Sequence, residues 1–262
     1  MKPLKRTKIV ATIGPASRSK EVLKEMILAG MNVARMNFSH DEHANHLEVL
    51  ENVRSIDKEL GTNTALLADL QGPKLRIGDV EGEGVEIHDG DLISITTKKC
   101  LGSATKLYTN YENFPKDVNP GERVLLDDGK IELKVESTNG KDSVQLLVVY
   151  GGIVKSKKGI NLPNTKVSLP CLTEKDLIDL DFALAHDVDW IGLSFVRSHK
   201  DVIKLRRIID KNSKHALVIA KIEKPEALED IEAIVRETDG VMVARGDLGV
   251  EIPMEKVPIA QK

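Results

Sequence analysis

Alternating strand and helix patterns at both ends of the chain limit the folds it can adopt. KIVATIG, NVARMNFS and TALLADL are typical of strands, each a run rich in Val, Ile, Leu or Ala. SKEVLKEMILAG and DEHANHLEVLENVRSIDKELG lie between them and have helical spacing, with Gly30 ending the first helix and Asp41 as predicted N-cap of the second. Apolar strands separated by helices predict a parallel sheet covered on both faces.

A different pattern occupies residues 79–165. This segment has no helical period, and its strand-like runs are DLISITT, RVLLDDGKIELKVES and SVQLLVVYGG. Asp-Gly or Asn-Gly pairs at Asp89, Asp128 and Asn139 are hairpin turn signals. We predict a small β-barrel-like domain inserted after the third strand.

The alternation resumes after the insertion. TEKDLIDLDFALAHD has a capping box of Thr173 and Asp176, and it precedes strand WIGLSFV, helix KDVIKLRRIIDKN, strand ALVIAKI, helix PEALEDIEAIVRE and strand GVMVARG. About six βα units predict an α/β fold, an incomplete (β/α)₈ TIM barrel. The predicted domains are 1–78 and 166–262 of the barrel around 79–165. Because a barrel closes with eight strands, we expect this to be the N-terminal part of a longer protein.

Composition narrows the partners and the compartment. The formal net charge of -3 over 262 residues gives no general attraction to nucleic acid or to an anionic membrane. The apolar runs are strand-sized, so no segment is predicted to span a bilayer. The two cysteines, Cys100 and Cys171, lack metal-ligand spacing and indicate free thiols. We therefore expect a cytoplasmic protein.

Polar residues follow the predicted strands where a barrel carries its active site, at the carboxyl ends. From the second strand to the sixth, the strand ends comprise Arg35, Asn37, Ser39, Asp69, Ser194, Phe195, Arg197, Lys221, Glu223, Arg245, Gly246 and Asp247, and every strand delivers at least one polar or charged side chain. Buried charges are costly unless they are paired or bind a ligand. Scattered ion pairs explain one or two such residues, so we predict a binding site at this end.

Two carboxylates in this set, Glu223 and Asp247, suit Mg²⁺ or Mn²⁺, which keep open positions for substrate oxygens. The structural alternative is a Lys221–Glu223 ion pair with Asp247 capping a helix. Arg35 and Arg76 match the bidentate geometry of a phosphate group.

Six motifs in order, KIVATIGPAS, GMNVARMNFSH, GPKLRIG, KKGINLP, AKIEKPEA and DGVMVARGDLGVEIP, resemble the pyruvate kinase family across the whole chain. The resemblance implies phosphoryl transfer from phosphoenolpyruvate to ADP in glycolysis, giving pyruvate and ATP, with the insertion as a lid. It implies that Lys221 and Arg35 are catalytic and bind phosphoenolpyruvate with Gly246 and Asp247. It further implies that Glu223 and Asp247 hold the metal and that the nucleotide is bound by Asn37, Phe38, Ser39, His40, Arg76 and Lys158.

Leu70, Gln71 and Lys74 resemble the branch of the family that does not require K⁺, whereas many relatives have Thr, Lys and Glu there. The monovalent-cation site would comprise Asn37, Ser39, Asp69 and Leu70. We predict that the Lys74 ammonium replaces K⁺ and donates to Asp69. A solvated loop lysine is the alternative.

Two other functions remain open. One is a metal-dependent aldolase or lyase that acts on a pyruvate enolate through Glu223 and Asp247, although such an enzyme needs no nucleotide lid. The other is a non-catalytic fragment that only binds partners. The family places a threonine near its seventh strand, and this chain has no residue for that position, so we expect this chain alone to be inactive. The resemblance also implies that the full-length protein is a homotetramer.

Overall fold

The computed structural model describes residues 6–212 and 215–262. Residues 1–5 of the predicted segment 1–78 therefore lie outside the described residues. The chain divides into two compact units. Unit 1 comprises Met1–Gly72, Cys171–Ile222 and Glu229–Met242, and unit 2 comprises Pro73–Pro170, Glu223–Leu228 and Val243–Lys262.

The elements are numbered along the chain. The strands are β1 Val10–Ile13, β2 Val33–Asn37, β3 Ala65–Asp69, β4 Val85–Ile87, β5 Leu92–Thr96, β6 Lys106–Tyr108, β7 Arg123–Leu126, β8 Ile131–Thr138, β9 Ser143–Tyr150, β10 Gly152–Val154, β11 Ile160–Asn161, β12 Trp190–Leu193, β13 Leu217–Ile222 and β14 Gly240–Val243. The α-helices are α1 Lys20–Ala29, α2 His43–Leu60, α3 Phe114–Asp117, α4 Glu174–Ala185, α5 His199–Lys211, α6 Pro225–Glu229, α7 Ile231–Glu237, α8 Arg245–Glu251 and α9 Val257–Gln261. A 3-10 turn spans Met254–Lys256.

One sheet has the order β1-β2-β3-β12-β13-β14, which is the order of the strands along the chain once β4 to β11 are set aside. The pairs from β1 to β13 are parallel. In β3, Leu66, Leu67 and Ala68 are all fully buried. Since consecutive residues point to opposite faces of a sheet, both faces are covered, as the apolar runs predict.

Caps explain where several helices begin and end. Gly30 ends α1 in the left-handed conformation at φ 114°, as predicted. Thr173 and Asp176 form the predicted capping box of α4. Another prediction was wrong: Glu42 is the N-cap of α2, while Asp41 adopts φ 74° and its carboxylate accepts hydrogen bonds from the Glu42 N–H and the Asn45 side chain.

The predicted helix PEALEDIEAIVRE is two helices, α6 and α7, with Asp230 between them. The Asp230 carboxylate accepts hydrogen bonds from the backbone N–H and the ring Nδ1 of His199, at 2.8 and 2.7 Å. This tertiary contact accompanies the break that helical periodicity did not reveal.

Unit 2 contains the strands from β4 to β11. Two of its sheets have the orders β11-β7-β8-β9-β5-β6 and β10-β4. The turns at Asp128-Gly129 and Asn139-Gly140 join the antiparallel neighbours β7, β8 and β9, as predicted. The Asp89-Gly90 turn joins β4 to β5, which are not partners because β4 pairs with β10, so the hairpin predicted there was wrong.

In the described part of the chain, no helix has the length and apolar character needed to cross a membrane.

Candidate active site

Strand register brings the polar residues of unit 1 onto one face of the parallel sheet. Thr12 is level with Arg35, and Asp69 is level with both Asn37 and Gly192. Leu193 is level with Ala220, so Ser194 and Lys221 come next along their strands. Because paired residues of parallel strands point to the same side, Thr12, Arg35, Asp69, Ser194 and Lys221 share one face. We call these five residues the Asp69 cluster.

Asp69 lies at the centre of the cluster and is 1% exposed. Its Oδ2 accepts a hydrogen bond from Arg35 Nε at 2.7 Å and another from the second guanidinium nitrogen. Its Oδ1 lies 3.0 Å from Lys221 Nζ. Two cations thus compensate one buried carboxylate, which is the condition under which a buried charge is tolerated.

Hydroxyl groups fix the two cations. Arg35 donates a third hydrogen bond to Thr12 Oγ1 at 2.7 Å. Lys221, 8% exposed, donates to Ser194 Oγ at 2.7 Å, and Ser194 Oγ donates to the Leu70 carbonyl at 2.6 Å. The positive groups are therefore held by contacts to β1, to β3 and to Ser194, the first residue after β12, which is itself bonded to the first residue after β3.

Gly192 leaves room for the Asp69 carboxylate. A Cβ at position 192 would lie 3.1 Å from Asp69 Oδ1 and 3.4 Å from Asp69 Cα. The first distance is shorter than ordinary van der Waals contact, so a side chain here would displace the carboxylate. Gly192 and Thr12 belong to this site although sequence reasoning did not select them. These two residues can be recognised from the strand register, which places them opposite Arg35 and Asp69. That register is known only once the strands are seen to pair.

The turn after β2 carries the residues predicted to bind nucleotide. Asn37 Oδ1 accepts a hydrogen bond from the Ser39 N–H at 3.1 Å, and the Asn37 carbonyl accepts one from the His40 N–H at 3.2 Å. Ser39 is half-buried and His40 is exposed. Phe38 is 1% exposed, and its carbonyl accepts a hydrogen bond from Lys175 Nζ at 2.7 Å.

Aromatic rings support this turn from below. Phe38 stacks on His46 at a centroid distance of 4.2 Å, and His43 stacks on Phe182 at 4.4 Å. His43 Nε2 lies 2.7 Å from Asp179 Oδ1. Burial lowers the pKa of His46, opposed by the nearby carboxylate of Asp41. The ring of Phe38 is therefore part of the core.

The loop after β3 is fixed at both ends of its first turn. The Leu70 N–H donates to the Gly192 carbonyl at 3.0 Å, and the Gly72 N–H donates to Asp176 Oδ1 at 2.9 Å. Gly72 has φ 70°, and a Cβ there would lie 2.8 Å from the Phe195 ring. Asp176 is fully buried and also caps α4. Only glycine fits this turn, because the backbone is left-handed and the space is filled.

In unit 2, three predicted basic residues occupy facing segments, and we call Lys74, Arg76 and Lys158 the basic patch. Arg76 forms an antiparallel bridge with Gly159, and the Ile77 N–H donates to the Lys158 carbonyl at 2.9 Å. Lys74 Cε would lie 3.7 Å from a Cβ at Gly159.

Lys158 has an acidic partner. Lys158 Nζ lies 2.7 Å from Asp127 Oδ1, and its side chain is 37% exposed. Hydrogen bonds from Lys158 and then Lys130 lower the pKa of Asp127. Arg76, on the facing segment, donates from its guanidinium to the Lys157 carbonyl at 3.0 Å. Lysine and arginine are both side chains that bind phosphate oxygens.

The two predicted metal ligands lie in two separate segments of unit 2, Glu223–Leu228 and Val243–Lys262. Glu223 follows β13 directly and is 2% exposed, whereas Asp247 lies in the first turn of α8 and is exposed, as is Gly246. Over residues 6–212 and 215–262, no group of three or more His, Cys, Asp or Glu side chains is arranged to hold a metal ion. Mg²⁺ typically takes only one or two protein carboxylates together with substrate oxygens, so a pair of carboxylates fits its donor requirement.

Comparison with known proteins decides the family. The family model described as pyruvate kinase, barrel domain, matches residues 4–262. The chain belongs to the pyruvate kinase family. Relatives named pyruvate kinase include those of Thermococcus litoralis, 45% identical over 99% of this chain, Mycobacterium tuberculosis, 46% over 98%, and Clostridium perfringens, 43% over 99%.

The chain spans about half the length of these pyruvate kinases, 54% of the first two and 55% of the third. The family resemblance stated from six motifs is thereby confirmed, as are the α/β class and its barrel-domain membership. The similarity gives no support to the metal-dependent aldolase or lyase.

Proposed function

We propose that this chain provides the phosphoryl-transfer site of a pyruvate kinase, which converts phosphoenolpyruvate and ADP to pyruvate and ATP. The observation that carries the proposal is the Asp69 cluster, because it holds Lys221 and Arg35 as two oriented cations at the carboxyl ends of parallel strands. Family membership adds the reaction type, since the relatives that match over nearly the whole chain are named pyruvate kinases.

Lys221 and Arg35 have the roles that phosphoryl transfer demands. The transferred group carries negative charge on its equatorial oxygens, and catalysis consists mainly of positioning and of positive charge aimed at those oxygens. Lys221 supplies the charge for the group in transit, and Arg35 orients phosphoenolpyruvate. We keep the substrate-binding role of Gly246 and Asp247. Asp69 is a positioning residue, because it acts through the two cations.

The nucleotide would be bound by the turn of Asn37, Phe38, Ser39 and His40 and by Arg76 and Lys158. For Phe38 the contact is limited to backbone, because its ring is buried. Lys158 would exchange its bond to Asp127 for a phosphate oxygen, or share it.

Glu223 and Asp247 would hold Mg²⁺ or Mn²⁺. The metal when bound would neutralise charge on substrate oxygens. The chain's own part is to present one buried and one exposed carboxylate, so that only Glu223 is shielded from water.

For Lys74 we keep the replacement of K⁺ by a tethered ammonium. Asp69 already accepts hydrogen bonds from Arg35 and lies 3.0 Å from Lys221 Nζ. Lys74 would be a third cation at this carboxylate, in the position that K⁺ would occupy together with Asn37, Ser39 and Leu70.

The test follows pyruvate release by the protein expressed from its complete open reading frame, with phosphoenolpyruvate, ADP and Mg²⁺. Tetramethylammonium is the sole monovalent cation at first, and K⁺ is then added. We expect full activity before K⁺ is added, and Lys221→Met should lower kcat by about 10³-fold, the scale for loss of one group that stabilises transition-state charge. Lys200→Met on α5 is the control and should change nothing.

Lys74→Glu isolates the cation hypothesis. We expect this variant to require K⁺, because the carboxylate removes the tethered charge. Activity of the parent only with K⁺ would keep the kinase and reject the role of Lys74. Nucleotide-independent pyruvate release would reject the kinase. Cytoplasmic location and a homotetramer remain predictions that accompany this proposal.

A further inference from the structure

A buried ion pair in unit 2 lies outside every role assigned above. Lys224 Nζ is 2.8 Å from Glu251 Oε2, and each residue is 7% exposed. Glu251 Oε1 accepts a second hydrogen bond from Asn161 Nδ2 at 2.9 Å, and Lys224 Nζ lies 3.5 Å from the Leu162 carbonyl. Buried pairs of this kind contribute little net stability compared with apolar residues of similar volume. The position of this pair in the chain indicates instead that it orients the segments that carry Glu223 and Asp247.

Each member of the pair is adjacent to one of the two carboxylates. Lys224 follows Glu223 in sequence. Glu251 is the last residue of α8, and Asp247 lies one turn earlier in the same helix. Residues four apart in a helix lie on the same face. A contact that fixes Glu251 therefore also fixes the direction in which the helix presents Asp247. The bond from Lys224 to Glu251 therefore sets α8 relative to the segment that carries Glu223.

Asn161 links the same pair to the basic patch. It belongs to β11 and lies three residues after Lys158. β11 pairs with β7, which ends just before Asp127, the partner of Lys158. One hydrogen-bonded chain thus runs from the segment of Lys158 through Asn161 and Glu251 to Lys224.

We propose that Lys224, Glu251 and Asn161 are positioning residues that set the relative placement of the Glu223 and Asp247 carboxylates for a divalent cation. This inference rests on the proposed function of those two carboxylates. It predicts that breaking the chain weakens cation binding in protein that is still folded, as loss of an outer-shell partner typically weakens metal affinity by about 10- to 100-fold.

The experiment measures Mn²⁺ affinity of the full chain by electron paramagnetic resonance, with folded fraction and Tm taken from circular dichroism of the same samples. We expect Lys224→Met to weaken Mn²⁺ binding about tenfold. Lys224→Arg should restore most of the affinity, since it keeps the charge and the donors. Arg123→Met is the matched control. It removes the 2.7 Å ion pair with Glu132 in the same unit and leaves the hydrogen bonds among Asn161, Glu251 and Lys224 in place.

Asn161→Ala guards against unfolding of Lys224→Met. It removes only the bond to Glu251 and should weaken Mn²⁺ binding by about two- to fivefold, the scale of one neutral donor to a carboxylate. A lowered Tm with unchanged Mn²⁺ affinity in both variants would mean that the pair is merely structural, which overturns the inference.

Glu223→Gln separates this inference from the proposed function. One outcome is that the parent binds Mn²⁺, that Glu223→Gln does not bind it and that Lys224→Met binds it as tightly as the parent. In that case only the inference fails and the proposed metal site stands. If the parent shows no Mn²⁺ binding that depends on Glu223, the proposed metal site fails and the inference fails with it.

Discussion

The Asp69 cluster in unit 1 and the basic patch in unit 2 both gather charge, but different parts of the backbone hold them. Asp69 and Lys221 come from strands and their side chains are 1% and 10% exposed, whereas Lys158 follows a turn and its side chain is 37% exposed. In the cluster, each charge is the other's compensation. In the patch, water can replace a lost partner. Substitution in the cluster should therefore alter stability and activity together, and substitution in the patch should alter activity alone.

The strongest test of the cluster is Asp69→Asn. The amide keeps the shape but leaves the buried Lys221 and the half-buried Arg35 without a carboxylate, so we expect the free energy of unfolding to fall by about 3–5 kcal/mol. Chemical denaturation with two spectroscopic probes measures this loss.

Asp79→Asn is the control for the loss of one charge. Asp79 is 3.7 Å from Lys157, and its side chain is 64% exposed, so its substitution should change the free energy of unfolding by less than about 0.5 kcal/mol. A similar small change for Asp69→Asn would mean that the cluster is not held together by its charges, and the comparison would fail.

Gly192→Ala tests the packing of the same cluster without changing any charge. The added Cβ presses on Asp69 Oδ1, and we expect a loss of about 1–3 kcal/mol with a matching fall in kcat. Gly240→Ala is the matched control in β14 of the same sheet, where a Cβ would lie 3.6 Å from Trp190 in ordinary contact. Equal stability of the two variants would show that Asp69 can shift freely.

Lys158→Met sharpens the other side of the comparison. We expect the KM for ADP to rise about tenfold, the scale of one hydrogen bond to a charged group, while the midpoint of unfolding stays unchanged. Lys157→Met is the neighbouring control, with a side chain that is 75% exposed. If Lys158→Met lowered stability as much as Gly192→Ala, the ion pair of Lys158 would be as important for folding as the Asp69 cluster, and the comparison would fail.

The smallest effect concerns the aromatic rings below the turn after β2. Burial lowers the pKa of His46 beneath 6.5, so the folded chain takes up this proton less readily than the unfolded chain. The stability from neutral His46 is complete above pH 6.5 and is lost as the pH falls through the lowered value. Between pH 7.5 and 5.5, the parent should lose at most about 1.4 kcal/mol per pH unit more than His46→Phe.

Chemical denaturation of both proteins at pH 7.5 and at pH 5.5 measures this difference in the free energy of unfolding. Asp41, His43 and Asp179 also act on His46, and they remain in the variant. His88→Gln, at an exposed position, should behave as the parent. An identical pH slope for parent and His46→Phe would show that this ring does not set acid stability.

Local chemistry explains the parts of the fold that were predicted well. Gly30 ends α1, and Thr173 with Asp176 begins α4, because caps are satisfied by residues within a few positions. Asp41 failed as an N-cap because a left-handed conformation turned its carboxylate toward Asn45. The break at Asp230 was missed because its partner, His199, lies 31 residues away.

The candidate site follows the same division. Polar residues at successive strand ends selected Arg35, Asp69 and Lys221, and six motifs identified the family. The sequence alone determines those features, because strand periodicity and motif order depend only on the order of residues along the chain. Thr12, the space at Gly192 and the pair of Lys224 with Glu251 appeared only in the tertiary structure. Their contacts join residues distant in sequence, and register and packing, which no local pattern encodes, decide which of them meet.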